Sequence, residues 1–278
     1  MLPLYPDEAR TCGAFTMVEI ALSLAIIGFA LVAIVGVLPV GLQVQQENRE
    51  ETVVIQDAQI WWSALQSQAR GYEDVTNAVE QIVIWWADWS MDGTLLGQGR
   101  DIYTRTNCDV TSLSPPPVLW LTNAQIILGL LSTPRYIYLP DALQTAAYRS
   151  NYVVAYVRAM NGPAVDKFPQ RDPAVQELAF RYRLVSEIVP FREWDTNWVA
   201  FYAPGLDPAE VAQRSNYWWV ARNLHANLHE IRLLFRWPLR PNGDVGNGRM
   251  VLRGTISGAR SNWGPLYYYQ LGTLARHP

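Results

Sequence analysis

The sequence predicts an α+β protein in which a long N-terminal helix, whose lower half is transmembrane, packs on a C-terminal head built from an antiparallel β-sheet. Residues 20–46 carry no charged side chain, and a pattern typical of an amphipathic helix follows them. The rest of the chain contains short segments rich in Val, Ile, Tyr and Phe, which favour strands. Because a helix with one apolar stripe needs another layer to cover it, we expect these strands to form a sheet against the helix.

The N-terminal helix is predicted at residues 15–70, with a transmembrane segment at residues 17–42. Residues 20–42 number 23 and include one polar side chain, Ser23. At about 1.5 Å per residue such a helix measures roughly 34 Å, enough to cross the hydrocarbon core of a bilayer with some tilt. Glu19 lies at the edge of this segment. Since a carboxylate there is costly, it is expected to have a partner or a function.

Above the membrane the same helix is predicted to continue. Pro39 is expected to kink or loosen it, and Gly71 to end it. Apolar residues recur at intervals of three and four along one face, which predicts a stripe that packs on the head: Val54, Ala58, Trp61, Leu65 and Ala69.

The head, residues 72–278, is predicted to be rich in strands. The expected strands are residues 82–86, 118–122, 136–139, 152–158, 178–190, 231–237 and 250–256. The last two are expected to form a hairpin, because the Asn- and Gly-rich residues 242–248 between them favour a tight turn. Irregular residues 91–117 are predicted to be a surface insertion, and short helices are expected at residues 140–148 and 208–214.

A short motif surrounds Glu19. Residues 14–19 read Ala-Phe-Thr-Met-Val-Glu, which resembles the cleavage and methylation signal of type IV prepilins and pseudopilins. In that family a leader is removed, the new N-terminal residue, typically Phe, is N-methylated, and a Glu is fifth in the mature chain. Cleavage between Ala14 and Phe15 would make residues 1–14 the leader and Glu19 the fifth mature residue. The alternative is cleavage between Gly13 and Ala14, since the family usually has Gly before the cut.

The resemblance implies a minor pilin or pseudopilin of a type IV pilus or type II secretion-like filament. Its partners would be the prepilin peptidase, other pilin or pseudopilin subunits and membrane lipid. It would lie in the inner membrane as a single-pass protein with its head in the periplasm, and later in a filament or at the cell surface. Glu19 would guide assembly by neutralising the new α-amine of a neighbouring subunit, a pairing that low dielectric strengthens. Residues 229–249 also resemble the tail of prepilin-like Verru_Chthon cassette proteins.

The sequence lacks the motifs that typically indicate an enzyme or a cofactor-binding protein. No Gly-rich phosphate loop, nucleophile elbow or Ser/His/Asp grouping at an informative spacing occurs, so we predict no enzymatic activity and no cofactor. Nothing specifies nucleic-acid binding. The alternative function is a signal-anchored envelope protein with a binding or enzymatic ectodomain. The process served (secretion, adhesion, DNA uptake or motility) stays open, as does the role of Cys108 once Cys12 leaves with the leader.

Three weaker patterns have simpler interpretations. His225 and His229 are four residues apart, but they precede a strand and lack a third ligand, so no metal site is predicted. Residues 242–248 have one carboxylate, which favours a plain hairpin turn over a calcium loop. Adjacent aromatic residues such as Trp85 and Trp86 point to opposite faces of a strand, so one ring of each pair is expected in the core and one outside.

Overall fold

The computed structural model describes residues 15–68, 73–112, 119–139, 147–161, 180–191 and 207–270. The chain divides into two compact units, Met1–Arg49 and Glu50–Pro278. The described part of the first unit is the beginning of helix α1 (Met17–Ser67), whose side chains are exposed up to Arg49. By length and composition, α1 is long and apolar enough to cross a membrane. The helix continues through Pro39, so the loosening predicted there is not observed.

The second unit contains the end of α1, three further helices and ten strands in its described part. The helices are α2 (Glu73–Ala78), α3 (Ala124–Leu131) and α4 (Pro208–Asn227). The strands are β1 (Val79–Ser90), β2 (Leu95–Thr104), β3 (Cys108–Asp109), β4 (Tyr136–Leu139), β5 (Ala147–Arg158), β6 (Arg181–Pro190), β7 (Leu228–Leu239), β8 (Val245–Ser257), β9 (Ala259–Trp263) and β10 (Leu266–Gln270).

Eight of the strands form one sheet in the order β3-β2-β1-β5-β6-β7-β8, with β4 paired to β5. Every pairing between these eight strands is antiparallel, which confirms the predicted fold class. The predicted C-terminal hairpin is confirmed as β7 and β8, and Gly243 at its turn has φ +87°, a conformation that favours glycine. Strands β9 and β10 form a separate hairpin that was not predicted from the sequence.

The core lies between one face of the large sheet, here called the inner face, and the end of α1. The predicted stripe on α1 is confirmed for its described members, because Val54, Ala58, Trp61 and Leu65 are all buried. Trp62 also reaches the sheet: a Cβ on Gly254 would lie only 2.2 Å from its Cη2 atom, so β8 needs glycine there. The inner face contributes buried residues from several strands, among them Ile82, Ile84, Val153, Tyr182, Leu233 and Phe235.

Two predictions about the middle of the chain are wrong. The described residues of the expected strand at 118–122 are irregular, with a turn at Leu121 and Thr122, and helix α3 follows them with Asn123 as the N-cap, whose side chain accepts a hydrogen bond from Gln125 N. Leu121 is fully buried without belonging to a strand, so a short apolar run does not by itself establish one. The expected surface insertion at 91–117 contains β2 and β3. Gly99 has a packing reason, since a Cβ on it would lie 2.6 Å from the Trp86 ring.

Smaller differences concern the ends of elements. Helix α1 ends at Ser67, whereas Gly71 lies outside the described residues. The helix predicted at 208–214 continues to Asn227. Of the helix predicted at 140–148, the last two residues belong to β5 and the others lie outside the described residues.

A buried histidine predicts how stability depends on pH. His229 on β7 is 3% exposed, and its ring lies 4.6 Å from that of Tyr269. Burial, with smaller contributions from Arg260 and His225, lowers the pKa of His229 from 6.5 to about 4. Between about pH 4 and pH 6.5, His229 is therefore neutral in the folded state and protonated in the unfolded chain. The stability that neutral His229 contributes is complete above pH 6.5 and is lost as the pH falls toward 4, by about 3 kcal/mol.

We expect His229→Leu to remove most of this pH dependence. Urea unfolding at pH 7 and pH 4 should show a difference about 3 kcal/mol smaller in the variant than in the parent chain. His225→Gln is the matched control, because His225 is only partly buried on α4 and its loss should leave most of the dependence in place. Equal pH dependence in the parent and in His229→Leu would contradict the assignment.

Candidate functional site at the start of the apolar helix

Of the two residues that flank the predicted cleavage bond, Phe15 lies two residues before the start of α1. Ala14 lies outside the described residues. Phe15 is 81% exposed, and Thr16 directly precedes the first helical residue, Met17. Thr16 is therefore the N-cap of the helix and Glu19 is its N3 residue, the third in the first turn.

Thr16 and Glu19 cap the helix reciprocally. The backbone N–H and the hydroxyl of Thr16 each donate to Oε2 of Glu19 at 2.8 Å, and the N–H of Glu19 donates to Oγ1 of Thr16 at 3.3 Å. This is a capping box, whose sequence form is Ser or Thr followed three residues later by Glu or Gln. The role of Thr16 was not predicted above, although Thr-Met-Val-Glu before an apolar run is the pattern that indicates a capping box.

The capping box determines where the carboxylate is. Glu19 bends back over the first turn, so its Oε2 atom lies against the backbone of Thr16, one residue after Phe15. The positive end of the helix dipole stabilises a negative charge at this position. Ser23 completes the local arrangement, because its hydroxyl donates to the carbonyl of Glu19 at 2.7 Å and so satisfies the polar side chain within the helix.

The helix that carries this carboxylate exposes a large apolar surface in its first part. Large apolar side chains between Met17 and Val44 are 48–87% exposed. They occur on all sides of the helix, since every described residue from 15 to 49 is exposed. A surface of this size that is apolar all round belongs in lipid or against other apolar helices.

The second unit holds a buried carboxylate on the same helix. Asp57 is 0% exposed and accepts four hydrogen bonds: from Met160 N at 2.9 Å, from Asn161 N at 3.1 Å and Nδ2 at 2.7 Å, and from the Tyr182 hydroxyl at 3.0 Å. Trp61 Nε1 in turn donates to the Tyr182 hydroxyl at 2.9 Å. Burial raises the pKa of Asp57, while the donated hydrogen bonds act in the opposite direction. These contacts tie α1 to β6 and to the end of β5, which is a structural role.

The weaker candidates are dispersed. His225 lies on α4 and His229 on β7, so the two do not share a helix face. In the turn after β7, the Asn242 side chain donates to Asp244 Oδ2 at 2.6 Å, a contact typical of a tight turn. Cys108 lies in β3 at one end of the large sheet.

The aromatic pair on β1 places its rings on opposite faces of the strand as predicted, but neither ring belongs to the buried core. In β1, Trp85 is 47% exposed, whereas Trp86 on the other face is partly buried. Trp61 and Trp62 lie on α1 instead, so the strand argument does not apply to them. No protein-family model, curated protein or solved structure matches the chain.

Proposed function

We propose that the chain is a minor pilin- or pseudopilin-like subunit that is processed by a prepilin peptidase and assembles into a filament through α1. The observation that carries the proposal is the exposed apolar helix that begins at Met17, two residues after Phe15, with a capped carboxylate in its first turn. An anchor alone requires only apolar length. Retaining Glu19 at its edge requires a further reason, and a cationic α-amine at Phe15 of a neighbouring subunit supplies one.

In this proposal, the apolar surface of α1 contacts lipid before assembly and neighbouring subunits during assembly. Before assembly, lipid covers the apolar side chains of the helix start, and the subunit is stored in the membrane. During assembly, the helices of neighbouring subunits replace the lipid. The head, with its own sheet and core, then stands at the filament surface. Its size favours a minor subunit, because common major pilins have smaller heads.

Fractionation of sheared filaments tests this function. The chain should be found in the filament fraction of cells that contain the prepilin peptidase, and it should stay in the membrane, at its full length, in cells that lack it. A chain that enters no filament while the peptidase is active would favour the alternative, a signal-anchored envelope protein with a binding ectodomain. The major subunit of the same filament, detected in the same fractions, controls for filament formation.

A further inference from the structure

We propose that a cleft on the outer face of the large sheet, opposite the face that α1 covers, binds an acidic carbohydrate, a sugar whose ring carries a carboxylate. The cleft has a volume of about 460 Å³ and is formed by β1, β2 and β5 together with Arg135. Small-molecule sites typically have volumes of about 300–1,000 Å³. The proposal concerns the head alone and holds whether or not the chain assembles into a filament.

One row of large side chains forms a wall of the cleft. Trp85 on β1 pairs directly with Arg100 on β2 and with Tyr152 on β5. Directly opposed residues of antiparallel strands share one face, so these three side chains stand side by side. The Arg135 guanidinium extends the row, since it lies 5.7 Å from the centre of the Tyr152 ring.

The neighbouring row has smaller side chains, two of which are polar. Ala87 on β1 pairs with Gln98 on β2 and with Ser150 on β5, and all three line the cleft. Because Ala87 and Ser150 are much smaller than the row beside them, the surface steps down and forms the floor. Gln98 is exposed and presents an amide that can donate to and accept from hydroxyl groups.

The aromatic wall favours a ring-shaped ligand. Trp85 is 47% exposed although it lies in the middle of a strand, and the Arg100 guanidinium lies 5.6 Å from the centre of its ring. An exposed indole offers a flat apolar surface that packs against the C–H face of a sugar ring, while its neighbours bind the polar edge.

The charges favour a carboxylate on that ring. Arg135 is already neutralised, because its Nη1 atom lies 2.7 Å from Oε1 of Glu187. Within the described part of the chain, Arg100 has no carboxylate at ion-pair distance. Among the described residues, the lining of the cleft therefore has one cation without an ion-pair partner, Arg100, which matches the carboxylate of one sugar ring. A nucleic acid strand needs a line of cations along its phosphates, and the lining of this cleft does not provide one.

Binding measurements on the purified chain test the proposal. The probes are an oligogalacturonate, whose sugars each carry a carboxylate, a neutral dextran and a single-stranded oligothymidylate. We expect the oligogalacturonate to bind, and Trp85→Ala and Arg100→Gln each to weaken its affinity at least about tenfold. Trp263→Ala and Arg253→Gln are the matched controls, because Trp263 on β9 is 76% exposed and Arg253 on β8 is exposed outside the cleft. Both controls should stay within about twofold of the parent.

Each other outcome contradicts the proposal. Absence of oligogalacturonate binding, or equal binding by the cleft variants and the controls, would show that the cleft is not a binding site for an acidic carbohydrate. Equally tight dextran binding would exclude the role of the carboxylate, and tighter oligothymidylate binding that needs Trp85 would assign the cleft to nucleic acid. Since Arg100 is exposed, Arg100→Gln is expected to fold, and an unchanged urea midpoint shows that a loss of binding is local.

Discussion

Replacing Asp57 by alanine is expected to destabilise the head by at least about 3 kcal/mol, since each buried donor left without an acceptor costs about 1–3 kcal/mol. The change removes the acceptor of hydrogen bonds from Met160, Asn161 and Tyr182 at once. Urea unfolding followed by tryptophan fluorescence measures the loss, because Trp61 is buried beside this site.

Tyr182→Phe is the graded comparison for this prediction. It removes one donor to Asp57 and the acceptor of Trp61 Nε1, but leaves the backbone donors paired with the carboxylate. We expect a loss of about 1–2 kcal/mol. If Asp57→Ala cost no more than Tyr182→Phe, the carboxylate would not be the contact that ties the helix to the sheet.

Replacing Glu19 is expected to block filament entry without blocking processing. Glu19→Gln is the decisive variant, because glutamine also completes a capping box but carries no charge. It should be cleaved like the parent chain and then enter sheared filaments at least about tenfold less, because the α-amine of the neighbouring subunit loses its counter-charge.

Two variants separate charge from capping. Thr16→Val removes the capping hydroxyl and keeps the carboxylate, so incorporation should fall much less than in Glu19→Gln. Glu47→Gln removes an exposed carboxylate further along α1 and should behave like the parent. Normal filament entry of Glu19→Gln would contradict the proposed role of its charge, and a loss in Thr16→Val equal to that in Glu19→Gln would assign the effect to helix capping.

The parts of the fold that were predicted are those with strong local signals. The apolar stripe of α1 repeats every three or four residues, and the β7–β8 hairpin alternates around a Gly-rich turn. Helix α3 was missed because its last five residues, 127–131, are all buried. A helix that is buried on all sides lacks the apolar repeat of three and four residues by which a helix is recognised in a sequence. Strand β2 was missed because Gly97 and Gly99 are typical of loops, whereas here Gly99 makes room for the ring of Trp86.

The capping box, the contacts of Asp57 and the outer cleft also differ in whether a local sequence pattern predicts them. The capping box joins residues three apart, so Thr16 could have been assigned from the sequence alone. The contacts of Asp57 join it to residues more than 100 positions away, and no local pattern predicts them. The outer cleft depends on the register of β1 with β2 and β5, which places Arg100 and Tyr152 on either side of Trp85. When the residues of β2 are interpreted as a loop, this register cannot be predicted, and neither can the cleft.

Mass spectrometry of the N-terminal peptide, taken from the chain extracted from membranes with its native peptidase present, tests the central proposal most directly. The proposed function predicts a chain that begins at Phe15 and carries one additional methyl group on its α-amine. A chain that retains the residues before Ala14 under these conditions, or one that begins elsewhere with an unmodified α-amine, would contradict it.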